Sequence, residues 1–310
     1  MLFRSNPENF AGGEFPLKSD GLAEVVEKQI GAPLGMDGVE AAWGIHRLVN
    51  ANMNNAIVRV SAERGLDPRE FALLVFGGNG AVHALHQADE LGIRRVVIPR
   101  TAPAFSALGL LVSDYLVDRV RATLVNTNEA QPEKLEAIFG ELEAMATEEL
   151  TRADLPSKTF AHERFAQVRY PGQTWDIDVP LKGTMDAKGL ERLAERFHQM
   201  HEDLHTYARR AETPLIAALR VRSSGRLKAP PLPKTPGSTK TAVAGGTREA
   251  WFDGRFRKTK VYDGPSLRAT QRVKGPAIIE EPFTTVVIPP GWTTKLDRQG
   301  NYVATRGGSK

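Results

Sequence analysis

Ala72-Leu73-Leu74-Val75-Phe76-Gly77-Gly78-Asn79-Gly80-Ala81-Val82-His83 is the stretch on which the fold turns. Its first five residues form a short, continuous apolar run, the pattern of a strand covered on both faces. Three glycines in four positions then make a turn, and Ala81 to Leu91 keeps helical spacing with Val82, Leu85 and Ala88 on one face. Gly92 suits a helix C-cap, and Arg95-Val96-Val97-Ile98-Pro99 reads as the next buried strand. A further helix is expected over Pro103 to Ser113. Ser106 belongs to its start, because the G-x-S-x-G frame of a nucleophile elbow is missing. Strand, turn, helix and strand in this order argue for an α/β fold with a largely parallel, helix-covered sheet.

Upstream, residues 1–17 read as a loop broken by Pro7, Gly12, Gly13 and Pro16. A short helix is expected from Ser19 or Asp20 to Gln29, ended by Gly31 and Pro33. A longer one follows, N-capped by Asp37 and closed by Gly65, with Val39, Ala42, Trp43, Ile45, Val49, Met53, Ala56, Ile57 and Val60 in helical period. It carries four asparagines, Asn50, Asn52, Asn54 and Asn55, although Asn is a poor helix former. Two readings stand: a polar face bonded to a neighbouring subunit or water, or Asn50 or Asn52 facing a ligand cleft. His46, beside Trp43, reads as a packed core or interface histidine.

Downstream of Asp114 the pattern changes. Strands are expected over Tyr115–Asn126 and Pro214–Ser224, and a hairpin over Arg164–Tyr170 and Thr174–Val179. Charged amphipathic helices are expected over Gln131–Leu155 and Met185–Tyr207. Residues 226–246, rich in Pro, Gly, Lys and Thr, read as a linker, and Thr247–Thr305 as short strands with regular turn signals. Arg306–Lys310 reads as a frayed tail. Domain boundaries are drawn at 1–125, 126–226, a linker at 227–246, and 247–310.

Composition narrows the function classes. The 310 residues include no cysteine, which excludes disulfides, a thiolate nucleophile, Cys-ligated zinc and iron–sulfur clusters. No run approaches the ~18 apolar residues of a membrane span, and the first residues lack the apolar core of a signal peptide. The net charge of +4 is spread along the chain, without a basic block or an RNA-binding signature. A soluble, cytoplasmic protein that binds neither nucleic acid nor membrane is expected.

Two constellations could carry chemistry. Gly77, Gly78, Asn79 and Gly80 lie between a strand and a helix N-terminus, where the backbone can approach a phosphate or nucleotide, and His83 follows within reach. The turn is neither a P-loop, which ends in Gly-Lys-Ser/Thr, nor a dinucleotide fingerprint, because Val82 occupies the last glycine position. His201-Glu202-Asp203-Leu204-His205 formally matches the zinc motif H-E-x-x-H, with His198 on nearly the same face. The metzincin continuation is absent and the helix is strongly charged, so a solvated surface helix is the favoured reading and no metal site is assigned. Asp114 and Asp118 could pair with Arg119 or Arg121, or meet a partner's metal.

Several blocks, in order, resemble the ATP-dependent hydantoinase A/5-oxoprolinase family, which includes subunits of acetone and acetophenone carboxylases. They are Ala51-Asn52-Met53, Val60–Gly65 with Asp67-Pro68-Arg69, Phe76–Gly78 with Gly80 and His83-Ala84, and Phe105–Leu110. Later come Arg169–Gln173, Gly275–Glu281 and Pro289–Trp292. The resemblance covers nearly the whole chain. It implies part of an actin-like, ribonuclease-H-like ATPase lobe in residues 1–125, followed by an α+β domain and a β-rich C-terminal domain. It also implies ATP with Mg²⁺, a cyclic amide substrate (or a ketone in the carboxylase branch), a hydantoinase B-like partner and an oligomer. Gly77, Gly78, Asn79, Gly80 and His83 fall on the segment that holds the adenosine side. Two positions depart from the family's pattern: Ala81 replaces a proline and Asn79 a small residue. No D-x-G-G-T phosphate turn occurs in the chain, so the nucleotide site is expected to be shared with an absent N-terminal half that holds the phosphates and metal. No catalytic residue is assigned. The alternatives are a catalytically inactive truncated subunit that docks the partner, and a zinc hydrolase using His201, His205 and Glu202.

Overall fold

The computed structural model describes residues 6–231 and 234–307. The first five residues of the expected N-terminal loop, residues 232–233 of the linker and the last three of the tail lie outside them. The chain divides into two compact units: Leu111–Pro230 forms one, and the two outer segments together form the other.

In the unit built from the outer segments, α1 (Leu22–Val26) and α2 (Ala32–Leu34) are joined by a wide turn. They precede α3 (Gly38–Ala62), which starts at a capping box: Asp37 accepts from Val39 and Glu40 amides while Glu40 reaches back to the Asp37 N–H. Then come β1 (Leu73–Leu74), α4 (Gly80–Leu91), β2 (Arg95–Pro99) and α5 (Phe105–Val112). After the second unit the chain returns through β7 (Gly246–Phe252), β8 (Arg255–Asp263), β9 (Arg272–Lys274), β10 (Ala277–Glu281), β11 (Thr284–Ile288), β12 (Trp292–Leu296) and β13 (Asn301–Arg306). Two sheets result, in the orders β1-β2-β13-β12-β9 and β11-β10-β8-β7. One apolar core joins them through α4: Ala84, Leu85 and Ala88 meet Val96 and Ile98 of β2 and Val286 and Ile288 of β11. The fully buried Trp292 donates from its indole to Asp89 of α4 at 2.9 Å.

Three expectations are corrected here. β1 is two residues long and lies at a sheet edge, with Leu74 48% exposed. The chain leaves the sheet at Gly77, whose φ of +88° suits glycine. The sheet is not largely parallel: β1–β2 pair in parallel, but β2–β13, β13–β12 and β12–β9 are antiparallel. The C-terminal strands are not a separate domain, because β13 pairs with β2 along five residues and completes the first segment's sheet. For the same reason the expected linker is anchored. Thr235 N–H donates to Arg298 O at 2.9 Å and Ser238 N–H to Ala269 O at 3.0 Å.

The middle unit is an antiparallel sheet in the order β3-β6-β4-β5, from β3 (Tyr115–Asn126), β4 (Phe160–Arg169), β5 (Ile177–Leu181) and β6 (Leu215–Gly225). Helices α6 (Pro132–Arg152) and α7 (Ala187–His205) cover it. Leu135, Phe139, Leu142, Leu193 and Phe197 meet Val168, Val179, Ile216 and Leu219 in its core. Asp118 pairs with neither Arg119 nor Arg121. The β3–β6 register places it opposite Arg222, and it accepts from Arg220 at 2.9 Å. Arg119 and Arg121 instead bond Glu149 and Glu141 of α6.

Candidate functional site

The glycine turn stands where predicted, and each glycine serves a different end. Gly77 takes a positive φ while its N–H donates to Ala102 O at 2.6 Å. Gly80 opens α4 so close to β1 that an added Cβ would lie 2.9 Å from a Val75 methyl. Gly78 has ordinary backbone, and a Cβ there would lie 3.4 Å from Phe283 O, in the hairpin between β10 and β11. Gly78 is therefore where the turn meets the second sheet.

Beside it lies a pocket of about 310 Å³. Gly78, Asn79 and Val82 form one side, Phe283 and Thr284 of the hairpin another, and Phe10 closes it from the N-terminal segment. Of the five predicted residues, Gly78 and Asn79 are in the lining; Gly77, Gly80 and His83 are not. Thr284 is 7% exposed, and its hydroxyl has no hydrogen-bond partner. A buried, unsatisfied hydroxyl costs about 1–3 kcal/mol, and such a group asks for a ligand or water. The lining holds no Lys or Arg, and its two acids are already engaged: Glu280 by Arg248, and Glu281 by Arg100 at 2.7 Å and by Tyr302. Burial and the neighbouring Glu281 charge push the Tyr302 hydroxyl well above its ordinary pKa, so it stays a neutral donor. Apolar walls with three asparagine amides (Asn6, Asn9 and Asn79), two threonines and no cation suit an uncharged ring and sugar better than phosphates. The hairpin wall was missed at the sequence level, although Gly275–Glu281 had stood out as a family block.

Behind the lining, α3 and α4 share a polar seam. One tautomer satisfies both contacts of His83: Nδ1–H donates to Asn50 Oδ1 at 3.1 Å, and Nε2 accepts from Asn79 Nδ2 at 3.1 Å. His46 stacks between His83 and Trp43, with ring centroids 4.8 and 5.2 Å away. Asn54 donates to Glu90 at 2.5 Å. The asparagines divide: Asn50 and Asn54 are buried within the chain, whereas Asn52 and Asn55 are exposed, and none of the four lines the pocket. The expected apolar period of α3 is likewise turned around. Its buried residues are Ala41, His46, Asn50 and Asn54, whereas Ile45, Leu48, Val49 and Val60 are 39–64% exposed.

Of the H-E-x-x-H stretch only His201 turns into the middle unit's interior; Glu202 to His205 are exposed, as the surface-helix expectation has it. His201 is fully buried, and both ring nitrogens are used: Nδ1–H donates to Tyr207 O at 2.8 Å, and Nε2 accepts from Gln173 Nε2 at 2.8 Å. His198 Nδ1 accepts from the Tyr170 hydroxyl at 2.6 Å, and that hydroxyl accepts from Arg209 N–H at 2.8 Å. Burial, with the Arg210 charge nearby, holds His198 below its ordinary pKa. These bonds tie the Tyr170–Gln173 corner to the end of α7, and zinc would have to break them. Among the described residues, no group of three or more His, Asp or Glu could hold a metal ion.

Residues 1–119 match the sequence model described as hydantoinase/oxoprolinase, and residues 123–300 the hydantoinase/oxoprolinase C-terminal domain. The chain is 33% identical over 312 residues to caprolactamase subunit alpha of Pseudomonas jessenii, spanning 96% of this chain and 44% of that protein. The crystal structure of the ATP-dependent caprolactamase from that organism superposes with a TM-score of 0.78 at 30% identity, over 96% of this chain and 44% of that one. The nucleotide-free acetone carboxylase gives a TM-score of 0.79 at 25% identity, over 98% of this chain and 45% of that one. The chain spans less than half the length of these relatives.

Proposed function

The chain belongs to the hydantoinase/oxoprolinase family, and from this we propose that it supplies the nucleoside-holding wall of an ATP site in an ATP-dependent cyclic-amide hydrolase or ketone carboxylase. The observation that carries the reading is the pocket at Gly78 and Asn79, with its orphaned Thr284 hydroxyl and no lining cation. Its residues fit a base and sugar. Gly78, Asn79, Phe283 and Thr284 would hold them. Phosphate and Mg²⁺ would be held by groups from the part of the family's length that this chain does not span. ATP, when bound, would activate an amide or ketone carbonyl by phosphorylation. The chain's own share is to bind and orient the nucleoside and to keep water from its ring face.

The outward apolar face of α3 favours completion by another polypeptide, since exposed apolar patches of this kind mark interaction sites. The named relatives include a subunit of a larger enzyme, in keeping with a hydantoinase B-like partner. The same face would serve a second reading, a docking subunit without ATPase activity. Calorimetric titration with Mg·ATP, alone and with the complementary half of a relative added, separates the two. Binding that appears or strengthens with the added half, and weakens in Gly78→Val, supports the ATP site. Association of the halves without nucleotide binding leaves the docking subunit.

A further inference from the structure

A second cavity, of about 220 Å³, lies within the middle unit and is lined from α6, β4, β5 and the first turns of α7. Its walls are apolar: Phe139, Leu181, Met185 and Leu193, of which all but Leu181 are buried. Every charged side chain in its lining is a cation: Arg164, Lys182, Arg192 and Arg196. Arg164 is committed to the frame. It bonds Glu143 at 2.6 Å and Glu136 at 2.9 Å, and Glu136 also accepts from Met185 N–H at 2.8 Å. The other three cations are exposed. Among the described residues their one ion pair is Arg192–Asp186 at 3.8 Å, and the same Asp186 oxygen already accepts from Gly189 N–H at 2.6 Å.

The sequence of α7 works against its own helix here. Lys188, Arg192 and Arg196 follow at four-residue steps and share one stripe. Like charges at that spacing repel, and the first turn holds no acid to suit the positive end of the helix dipole. An anion beside Arg192 and Arg196 removes the conflict. We propose that this cavity binds a small organic monoanion, a carboxylate with a short apolar body. The body lies against Phe139, Met185 and Leu193, and the carboxylate meets Lys182, Arg192 and Arg196. Size sets the class: at ~30 Å³ per water-sized group the cavity holds about seven such groups, fewer than the ~300 Å³ of the smallest drug-sized sites admits. Inorganic phosphate would leave the apolar walls empty. An amine or a zwitterion would bring an ammonium to a lining that has no carboxylate. The site belongs to the other compact unit from Gly78 and does not depend on the nucleotide reading.

Hexanoate, hexan-1-ol and hexan-1-amine share one tail and differ in the head group, so titrating each against the full chain by ligand-observed NMR tests the site. Hexanoate should bind with a Kd of about a millimolar, the scale for so small a ligand, and at least tenfold more tightly than the other two. Acetate keeps the head and loses the buried methylenes, so it should bind at least tenfold more weakly than hexanoate. Replacing Arg192→Gln together with Arg196→Gln should keep hexan-1-ol binding and bring the hexanoate preference below about threefold. Both arginines are exposed, so the variant folds. Thr184→Trp, at an exposed position of the lining, fills the cavity and should abolish binding of hexanoate and hexan-1-ol alike. Four results overturn the proposal: an alcohol or amine bound as tightly as hexanoate, a preference unmoved in the double variant, hexanoate binding that survives Thr184→Trp, or no saturable hexanoate binding. Each leaves the ATP reading standing, because titration with Mg·ATP tests that separately.

Discussion

Replacing Gly77, Gly78 and Gly80 by alanine, one at a time, should separate folding from binding within four residues. Gly77 has φ +88° and nothing within 4 Å of an added Cβ, so its cost is backbone strain alone, roughly 1–2 kcal/mol. At Gly80 the added methyl meets a Val75 methyl at 2.9 Å, but alanine gains up to about 1 kcal/mol of helix propensity, which offsets much of the overlap. Gly78→Ala adds neither strain nor overlap, since its Cβ lies 3.4 Å from Phe283 O, and its stability should stay within about 0.5 kcal/mol of wild type. The assay is urea unfolding followed by tryptophan fluorescence. It reports the unit that holds the glycine turn, because the fully buried Trp292 lies there and the middle unit's Trp175 is 85% exposed. With a urea dependence of ~2 kcal/mol/M, the Gly77→Ala midpoint falls by roughly 0.5–1 M. Nucleotide titration of the same proteins should show the reverse order, with Gly78→Ala weakest because its methyl narrows the pocket. The reasoning is refuted if Gly77→Ala unfolds at the wild-type midpoint, or if Gly78→Ala is the least stable of the three.

Three further outcomes are expected. His201→Ala removes a buried ring and its two hydrogen bonds, so the middle unit loses about 2–4 kcal/mol in thermal unfolding; stoichiometric zinc binding by the wild-type chain would contradict this structural role. The middle unit should weaken on acidification in two stages. His198 is held below its ordinary 6.5, chiefly by burial, so its contribution is complete above pH 6.5 and declines below it as the unfolded chain takes up a proton. Glu143, held below its ordinary 4.5 by the hydrogen bond from Arg164, adds stability above pH 4.5 that is lost as pH falls further. Denaturant midpoints across pH 7 to 3 show both stages, and Arg164→Met should flatten the second alone. Leu48→Glu, on the outward face of α3 at 64% exposure, should leave the chain's stability within about 0.5 kcal/mol and weaken its association with the complementary half, read by sedimentation.

How much of this could be read from the sequence depended on whether the signal was local. The N-cap at Asp37, the helix stop at Gly92 and the strand Tyr115–Asn126 follow from neighbours in the chain, and the structure keeps them. The α3 periodicity identified a helix but not its buried face. Apolar spacing predicts burial only where the burying surface belongs to the same chain, and here a stripe of His46, Asn50 and Asn54 packs inward instead. Asp118 shows the limit for charges: candidates for its partner were sought next to it, while strand register supplied Arg220 and Arg222 from β6. The pocket shows the same limit for sites. Gly78 and Asn79 carry a recognisable turn, whereas Phe283 and Thr284 are unremarkable in a hairpin. They line the pocket only because β10 pairs in parallel with β8 and antiparallel with β11, and the resulting hairpin lies over the start of α4.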